Sequence, residues 1–300
     1  MSAVSGVRQR LMSGSLGPVL AILGVLVVIW YAGAIALNAQ RVLDGYESEE
    51  TTDWTWRDLV ADTLSMDRPI LPAPHQVLIE LHKTVLDVAP TSRRSLVYHG
   101  WVTLSSALVG FAFGTLLGIV LAVGIVHVPT LERALMPWII ASQTIPILAI
   151  APMIIVVLGS LGLVGLLPKA IISAYLCFFP VTIGMVKGLT SPDRIQLDLI
   201  RTYSASKTQV FWKLRWPASV AFLFASLKVA IALAVVGAIV GELPTGAAAG
   251  LGARLLSGSY YGQTVQIWAA LVVASVMAGL AVLAVDLAER MTERHMGGQP

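Results

Sequence analysis

Apolar positions run for about twenty residues or more at six places, 17–37, 101–127, 134–158, 164–187, 217–241 and 264–287, with most polar residues lying between these runs. An α-helix rises 1.5 Å per residue, so roughly 20 apolar residues cross a hydrocarbon layer about 30 Å thick. The pattern predicts an all-α membrane protein of six transmembrane helices. Between the first two runs, PAPHQVLIELHKTVLDV (72–88) sets Val77, Leu78, Leu81, Val85 and Leu86 on one helical stripe. It predicts an amphipathic helix, either lying at the outer membrane interface or packed as an ordinary surface helix. GYESEETTDWTWRD (45–58) follows neither the helical nor the strand period and reads as loop.

Composition agrees with this reading. Hydrophobic residues make up 56% of the chain and charged residues 12%, and the mean hydropathy is +0.80. That is far outside the globular range. The net charge of +3 and pI near 9.1 do not indicate nucleic acid, because the basic residues are scattered along membrane flanks and form no tract. The first run follows Arg8 and Arg10 and ends in a small-x-small pattern, Ala34-Ile35-Ala36, as a secretory signal does. Its length, with Trp30 near its end, predicts a retained anchor over 17–37 behind a cytoplasmic segment 1–16.

Lys and Arg then fall on the inside, as the positive-inside bias requires. Arg133 lies in the loop near 128–134, Lys187, Arg194, Arg201, Lys207, Lys213 and Arg215 flank or occupy 188–216, and Arg290 and Arg294 lie at the C-terminal end. The short outside loops near 159–163 and 242–263 carry only Arg254, with Lys169 just within the next span. The segment 38–100 is an outer element, residues 101–290 hold five further spans, and 291–300 form a cytoplasmic tail.

Several residues inside the spans stand out. Gly110, Gly114 and Gly118, followed by Ala122, recur every four residues and make a smooth seam for close helix packing. In the third run, Pro137 sits near the expected helix start, whereas Pro146 and Pro152 free mid-helix carbonyls that need partners or a water-lined path. Gln143 and Thr144 lie within a turn of Pro146, so these three are candidates for a solute path. Lys228 is a fourth, since a mid-span lysine costs on the order of 3 kcal/mol unless paired, hydrated or snorkelling. Glu242, at the end of the same run, reads as an interfacial carboxylate. About 21 Å of helix separates the two, so each needs its own partner.

Enzyme chemistry is not evident. The sequence has no GxxxxGK[ST] phosphate loop, HExxH or GxSxG, and its five histidines form no i, i+4 ligand pair. No metal site is expected. The single cysteine, Cys177, lies within the fourth run and reads as a small buried residue.

The remaining organised feature is SPDRIQLDLIRTYSASKTQVFWKLRWP (191–217). Ser191-Pro192-Asp193 predicts a helix start, with Ile195, Leu199, Ile200 and Tyr203 on one face. Ser204-Ala205-Ser206 interrupts, Ser206 caps a second short helix carrying Val210, Phe211 and Leu214, and Pro217 resets the chain into the fifth span. Helices this short are unstable alone, so their apolar faces call for something to pack on.

The spacing of this loop resembles the EAA motif of bacterial ABC importer permeases: three residues, three more, a glycine, nine residues, then I-x-L-P. Here Asp198-Leu199-Ile200 precede Arg201-Thr202-Tyr203, Ser204 takes the glycine position, and Leu214-Arg215-Trp216-Pro217 close the pattern. LPAPHQV, LIRTYSAS and GELPTGAAAGLGARLL resemble segments of the nitrate, taurine and alkanesulfonate importer group, with Glu242, Gly250 and Gly252 at the matching positions. The resemblance covers about 72–290.

It implies a multi-pass permease of the bacterial cytoplasmic membrane with both termini inside. Such a subunit works by alternating access with a second permease, identical or a sister chain, and is embedded in membrane lipid. An extracytoplasmic solute-binding protein feeds it and two cytoplasmic ATPase subunits drive it. ATP and magnesium would belong to those partners and not to this chain, which needs no cofactor. The resemblance makes 188–216 the coupling loop, with Asp198, Leu199, Ile200, Arg201, Tyr203, Ser204, Leu214 and Pro217 as coupling positions. The group handles nitrate, sulfonates, bicarbonate and vitamin-related heterocycles. A gradient-driven secondary transporter or channel, and a membrane scaffold for a cytoplasmic partner, are the competing readings.

Overall fold

The computed structural model describes residues 16–244 and 249–295, and among them all regular structure is helical. The chain divides into one unit of residues 1–89 with 257–269 and a second of 90–256 with 270–300.

In the first unit, α1 (Leu16–Ser48) runs past the expected end at 37. Asn38, Gln40 and Arg41 interrupt the apolar pattern, but they interrupt only the match to lipid and not the helical backbone. The turn after it passes through Glu50 at a left-handed φ of 53°. Residues Val19 to Ile29 leave their large apolar side chains exposed, as expected of a helix facing hydrocarbon.

The segment expected as loop contains the start of α2 (Trp56–Ser65). Asp58 accepts the Thr55 hydroxyl at 2.7 Å and the Thr55 backbone N–H at 2.9 Å, which holds its carboxyl below the usual carboxylate range. The amphipathic segment forms α3 (Pro74–His82), continued by a wider turn over Lys83–Asp87. Of its stripe only Val77 is buried, while Leu78 and Leu86 are exposed.

Asn38, fully buried, ties this unit together. Its Oδ1 accepts the N–H groups of Ile70 (2.7 Å) and Leu71 (3.3 Å), and its Nδ2 donates to the carbonyls of Leu71 (2.9 Å) and Thr63 (3.5 Å). Trp30 donates to the Pro72 carbonyl at 2.9 Å and stacks at a tilt on Trp268.

The second unit contains α4 (Leu96–His127), α5 (Pro129–Ser142), α6 (Ile147–Ser160), α7 (Leu166–Leu189) and α8 (Arg194–Thr202). It continues with α9 (Lys207–Val210) and α10 (Trp216–Glu242); α11 (Leu251–Tyr260) and α12 (Thr264–His295) have residues in both units. Small residues decide the packing. A Cβ at Gly114 would lie 2.6 Å from that of Cys177, one at Gly118 would lie 2.8 Å from that of Val181, and one at Gly110 would strike Ser173 and the Ala170 carbonyl. The glycine seam of α4 therefore faces α7 at backbone contact. On the other side of α7, Gly184 meets Ser226 and Gly188 meets Ser219 of α10, while Gly237 of α10 meets Ser173. Ser173 Oγ and Cys177 Sγ donate to the α10 carbonyls of Ala234 (3.0 Å) and Ala230 (3.1 Å). Ala278, Ala281 and Val282 of α12 close over this core.

Five described helices are long and apolar enough to span, and α5 with α6 makes a sixth candidate bent by 101°. The third run is thus two helices. Pro137 lies inside α5, whose first turn is opened by Pro129, and Pro146 starts α6 instead of kinking a continuous helix. Pro146 has no N–H to offer the Ser142 carbonyl four residues back. The Tyr175 hydroxyl of α7 donates to that carbonyl at 2.5 Å instead.

Candidate functional site

The loop after α7 begins differently from expectation. The Ser191 hydroxyl donates to the Gly188 carbonyl at 2.8 Å and so closes α7, and Asp193, not Ser191, caps α8. Pro192 disfavours helical dihedrals in the residue before it, which delays the start. The Asp193 N–H donates to Gln196 Oε1 at 3.1 Å, one arm of a capping box.

No residue of α8 is buried. Ile195 is 82% exposed, Leu199 56% and the adjoining Tyr203 79%, so the apolar stripe stands open. Asp198 and Arg201 pair with each other at 3.2 Å on the exposed side. Ile200, Leu214 and Pro217 are half-buried. Ser204 has φ of 54°, the left-handed conformation that suits glycine at a helix end, and it stands where the EAA spacing has glycine. Ser206 then caps α9, its Oγ accepting the Gln209 N–H at 3.3 Å while its own N–H donates to Gln209 Oε1 at 2.8 Å. Pro217 does not reset the chain. It occupies the first turn of α10, and the helix is continuous from Lys207 through a wide turn at Phe211–Arg215 to Glu242.

The four path candidates separate into two places. Gln143, Thr144 and Pro146 are exposed at the bend between α5 and α6, where the Thr144 hydroxyl turns back to the Ala141 carbonyl at 2.8 Å. Lys228 is held between α10 and α12, 2.6 Å from Asp286 Oδ1 and 2.5 Å from Glu289 Oε2, with Arg290 2.9 Å from Asp286. Its charge is compensated by an inter-helix ion pair.

A second polar site lies where α4, α7, α10 and α11 meet. Glu242 is fully buried, which corrects its reading as an interfacial carboxylate. Lys169 Nζ lies 3.4 Å from its Oε1, the Thr103 hydroxyl lies 3.0 Å from both carboxylate oxygens, and the Gly252 N–H donates to Oε2 at 2.8 Å. The preceding backbone groups are held in the same way. Lys169 Nζ donates to the Ala249 carbonyl at 3.3 Å, the Gly250 N–H donates to His99 Nδ1 at 2.9 Å, and the Leu251 N–H donates to Thr103 Oγ1 at 2.8 Å. Since Nδ1 accepts, the His99 proton sits on Nε2, which donates to the Arg93 carbonyl at 2.9 Å. Four successive residues, 249–252, are thus gripped by side chains from three helices. The glycines are required: Gly250 has φ of 131° and any Cβ on it would strike the Glu242 carboxylate, and one on Gly252 would lie 2.8 Å from Glu242 Cβ.

Residue-by-residue reading flagged Glu242, and the GLG resemblance flagged Gly250 and Gly252, but His99, Thr103 and Lys169 were missed. The available signal was a lysine three residues into an apolar helix with a carboxylate at the end of another span. Beside this site a cavity of about 590 Å³ opens between Tyr98, Val102, Ser105 and Ser106 of α4, Ile155 and Gly159 of α6, residues 163–166, and Pro168, Lys169 and Ala249.

An all-α membrane domain with glycine-seamed helices, a broken span and an exposed loop helix on EAA spacing defines a transport permease. The chain belongs to the family of binding-protein-dependent transport system inner membrane components, whose model matches residues 114–298. It is 34% identical over 61% of its length to 68% of the formylaminopyrimidine transport permease protein ThiX of Halalkalibacterium halodurans. It is likewise 34% identical over 52% of its length to 57% of the riboflavin transport system permease protein RibX of Chloroflexus aurantiacus. Its fold is shared with a chain of the MetNI methionine ABC transporter solved in inward-facing conformations, at a TM-score of 0.52 and 20% identity, covering 65% of this chain and 95% of that one. The chain is therefore an ABC importer permease.

Proposed function

We propose that this permease imports a vitamin-related nitrogen heterocycle, and that residues 191–217 receive the force of a separate ATPase. The observation that carries the coupling role is the open stripe of Ile195, Leu199 and Tyr203 on a short, capped helix with no buried residue. Exposed apolar surface of this kind, rimmed by the Asp198–Arg201 pair, suits a complementary groove. In this reading both termini and the loop lie in the cytoplasm. Two ATPase subunits close on ATP and magnesium, and two permease subunits, identical or sister chains, form the path. An extracytoplasmic binding protein delivers the solute. ATPase closure then shifts the permease between its states, because nucleotide binds the closed arrangement more tightly. The substrate class rests on the likeness to ThiX and RibX, whose names specify a pyrimidine and a flavin.

The test is ATP-dependent uptake into proteoliposomes holding permease, ATPase and binding protein. Labelled aminopyrimidine and riboflavin are the probes, with nitrate and an alkanesulfonate as competitors. Import of one heterocycle, with ATPase capture lost in Ile195→Asp/Leu199→Asp, supports the reading. Uptake of nitrate or sulfonate alone refutes the substrate class, and unchanged ATPase capture by the double variant refutes the coupling role.

A further inference from the structure

We infer that the cavity beside Lys169 is a solute site built for an uncharged ligand, and that Glu242 enforces this rule by cancelling the charge that Lys169 brings to its wall. The inference rests on the importer reading. At about 590 Å³ the cavity falls within the range of small-molecule sites, roughly 300–1,000 Å³.

Among the described residues lining it, Lys169 is the only charged one. Its side chain is 8% exposed, and its ammonium is committed to Glu242 Oε1 and the Ala249 carbonyl. Whichever partner holds the shared proton, the pair adds no net charge. His99, behind the wall, has Nδ1 occupied as an acceptor and is neutral in this arrangement. The hydroxyls of Ser105 and Ser106 both donate to the Val102 carbonyl, at 2.9 and 3.1 Å. With those protons used, the two serines offer the cavity lone pairs, which accept from ligand N–H or O–H groups. A carboxylate or sulfonate has only acceptors and would meet them lone pair to lone pair. Tyr98 also lines the cavity, and Val102, Ile155 and Leu166 supply apolar wall. Desolvating an anion here would leave it without a compensating charge. An uncharged solute bearing N–H or O–H donors on an apolar frame meets what the wall offers.

Glu242→Gln tests the rule directly. Its amide oxygen still accepts from Thr103 and Gly252, but the ammonium of Lys169 is left uncancelled. Equilibrium binding is measured on the permease–ATPase complex in nanodiscs without binding protein. The two probes share one ring: 4-amino-5-hydroxymethylpyrimidine, which is neutral, and 4-aminopyrimidine-5-carboxylate. The wild type is expected to prefer the neutral probe, and Glu242→Gln to swing the preference toward the carboxylate by at least about tenfold. Adding Lys169→Gln to Glu242→Gln should abolish that swing.

Gly159→Leu gives an independent check that does not disturb the buried pair. A Cβ there meets nothing within 4 Å, so the side chain can enter the cavity, and binding of both probes should be lost. Equal binding of both probes by the wild type, an unchanged preference in Glu242→Gln, or undiminished binding in Gly159→Leu overturns the inference. Transport is measured in parallel. ATP-dependent uptake of the neutral probe that survives Gly159→Leu sinks the cavity assignment and leaves the transport reading standing. ATP-dependent uptake of nitrate or sulfonate alone removes the substrate class on which the inference stands.

Discussion

Replacing Glu242 by Ala should destabilise the second unit more than any single surface change. The carboxylate is fully buried and within bonding distance of Lys169, Thr103 and the Gly252 N–H. Removing one partner of a buried pair strands the other charge, at about 3–5 kcal/mol. Each donor left without its acceptor adds about 1–3 kcal/mol unless water enters. The net expectation for Glu242→Ala is about 5 kcal/mol, and Lys169→Met alone should cost about 3 kcal/mol.

In the double variant the stranded charge is gone, so its cost should fall short of the sum by about 2 kcal/mol or more. The assay is unfolding of the purified permease in mixed micelles, followed by tryptophan fluorescence, for the four members of this cycle. A coupling below about 0.5 kcal/mol would show that Lys169 and Glu242 are not energetically paired. A Glu242→Ala variant as stable as the wild type would refute the assignment of the carboxylate as the anchor of residues 249–252.

Further changes at Gly114, Ser204 and Asn38, with controls, probe other parts of the molecule. Gly114→Leu forces a side chain against Cys177 and the Ala174 carbonyl and should cost about 3 kcal/mol or prevent folding, read as loss of the monodisperse peak in detergent. Gly24→Leu, where a Cβ meets nothing, is the control expected to behave as wild type. Ser204→Val puts a β-branched residue at a left-handed φ and should weaken the end of α8 by about 1–2 kcal/mol, whereas Ser204→Gly should be neutral or stabilising; hydrogen exchange over 194–206 reads both. Asn38→Ala removes the side chain that four backbone groups share and should cost about 2–4 kcal/mol, visible as faster proteolysis between residues 49 and 72 with the second unit intact.

The candidate site was legible in the sequence to different depths. The loop could be read because its signals are local: Ser206 with Gln209 is a capping pair three residues apart, and the EAA spacing survives even though, of the named identities, only the closing proline, Pro217, is kept. What local reading misjudged was where the caps fall. Ser191 closes one helix instead of opening the next, and Pro217 sits inside a continuous helix, directly after the wide turn at Phe211–Arg215. The path candidates show the opposite limit. Pro146 does free a carbonyl, but that carbonyl belongs to Ser142 and its donor is Tyr175, 33 positions along the chain from Ser142. Lys228 needed a partner, and the partners are Asp286 and Glu289 at the far end of the last helix.

The sequence by itself determined the solvent of this protein, the class of its fold, the faces of α4 that approach another helix and the loop that interrupts the apolar pattern. Each follows from composition, helical periodicity or short-range hydrogen bonding, which act within a few turns of one segment. Only the tertiary structure decided that Glu242 is buried and not interfacial, that Lys169 is its partner, and that His99, Thr103, Lys169 and Glu242 together hold 249–252. Those contacts span from 10 to 151 positions of sequence. They form because packing at glycines brings α4, α7 and α10 to backbone contact, and a polar group carried into that dry interior must take whatever partner the neighbouring helices present.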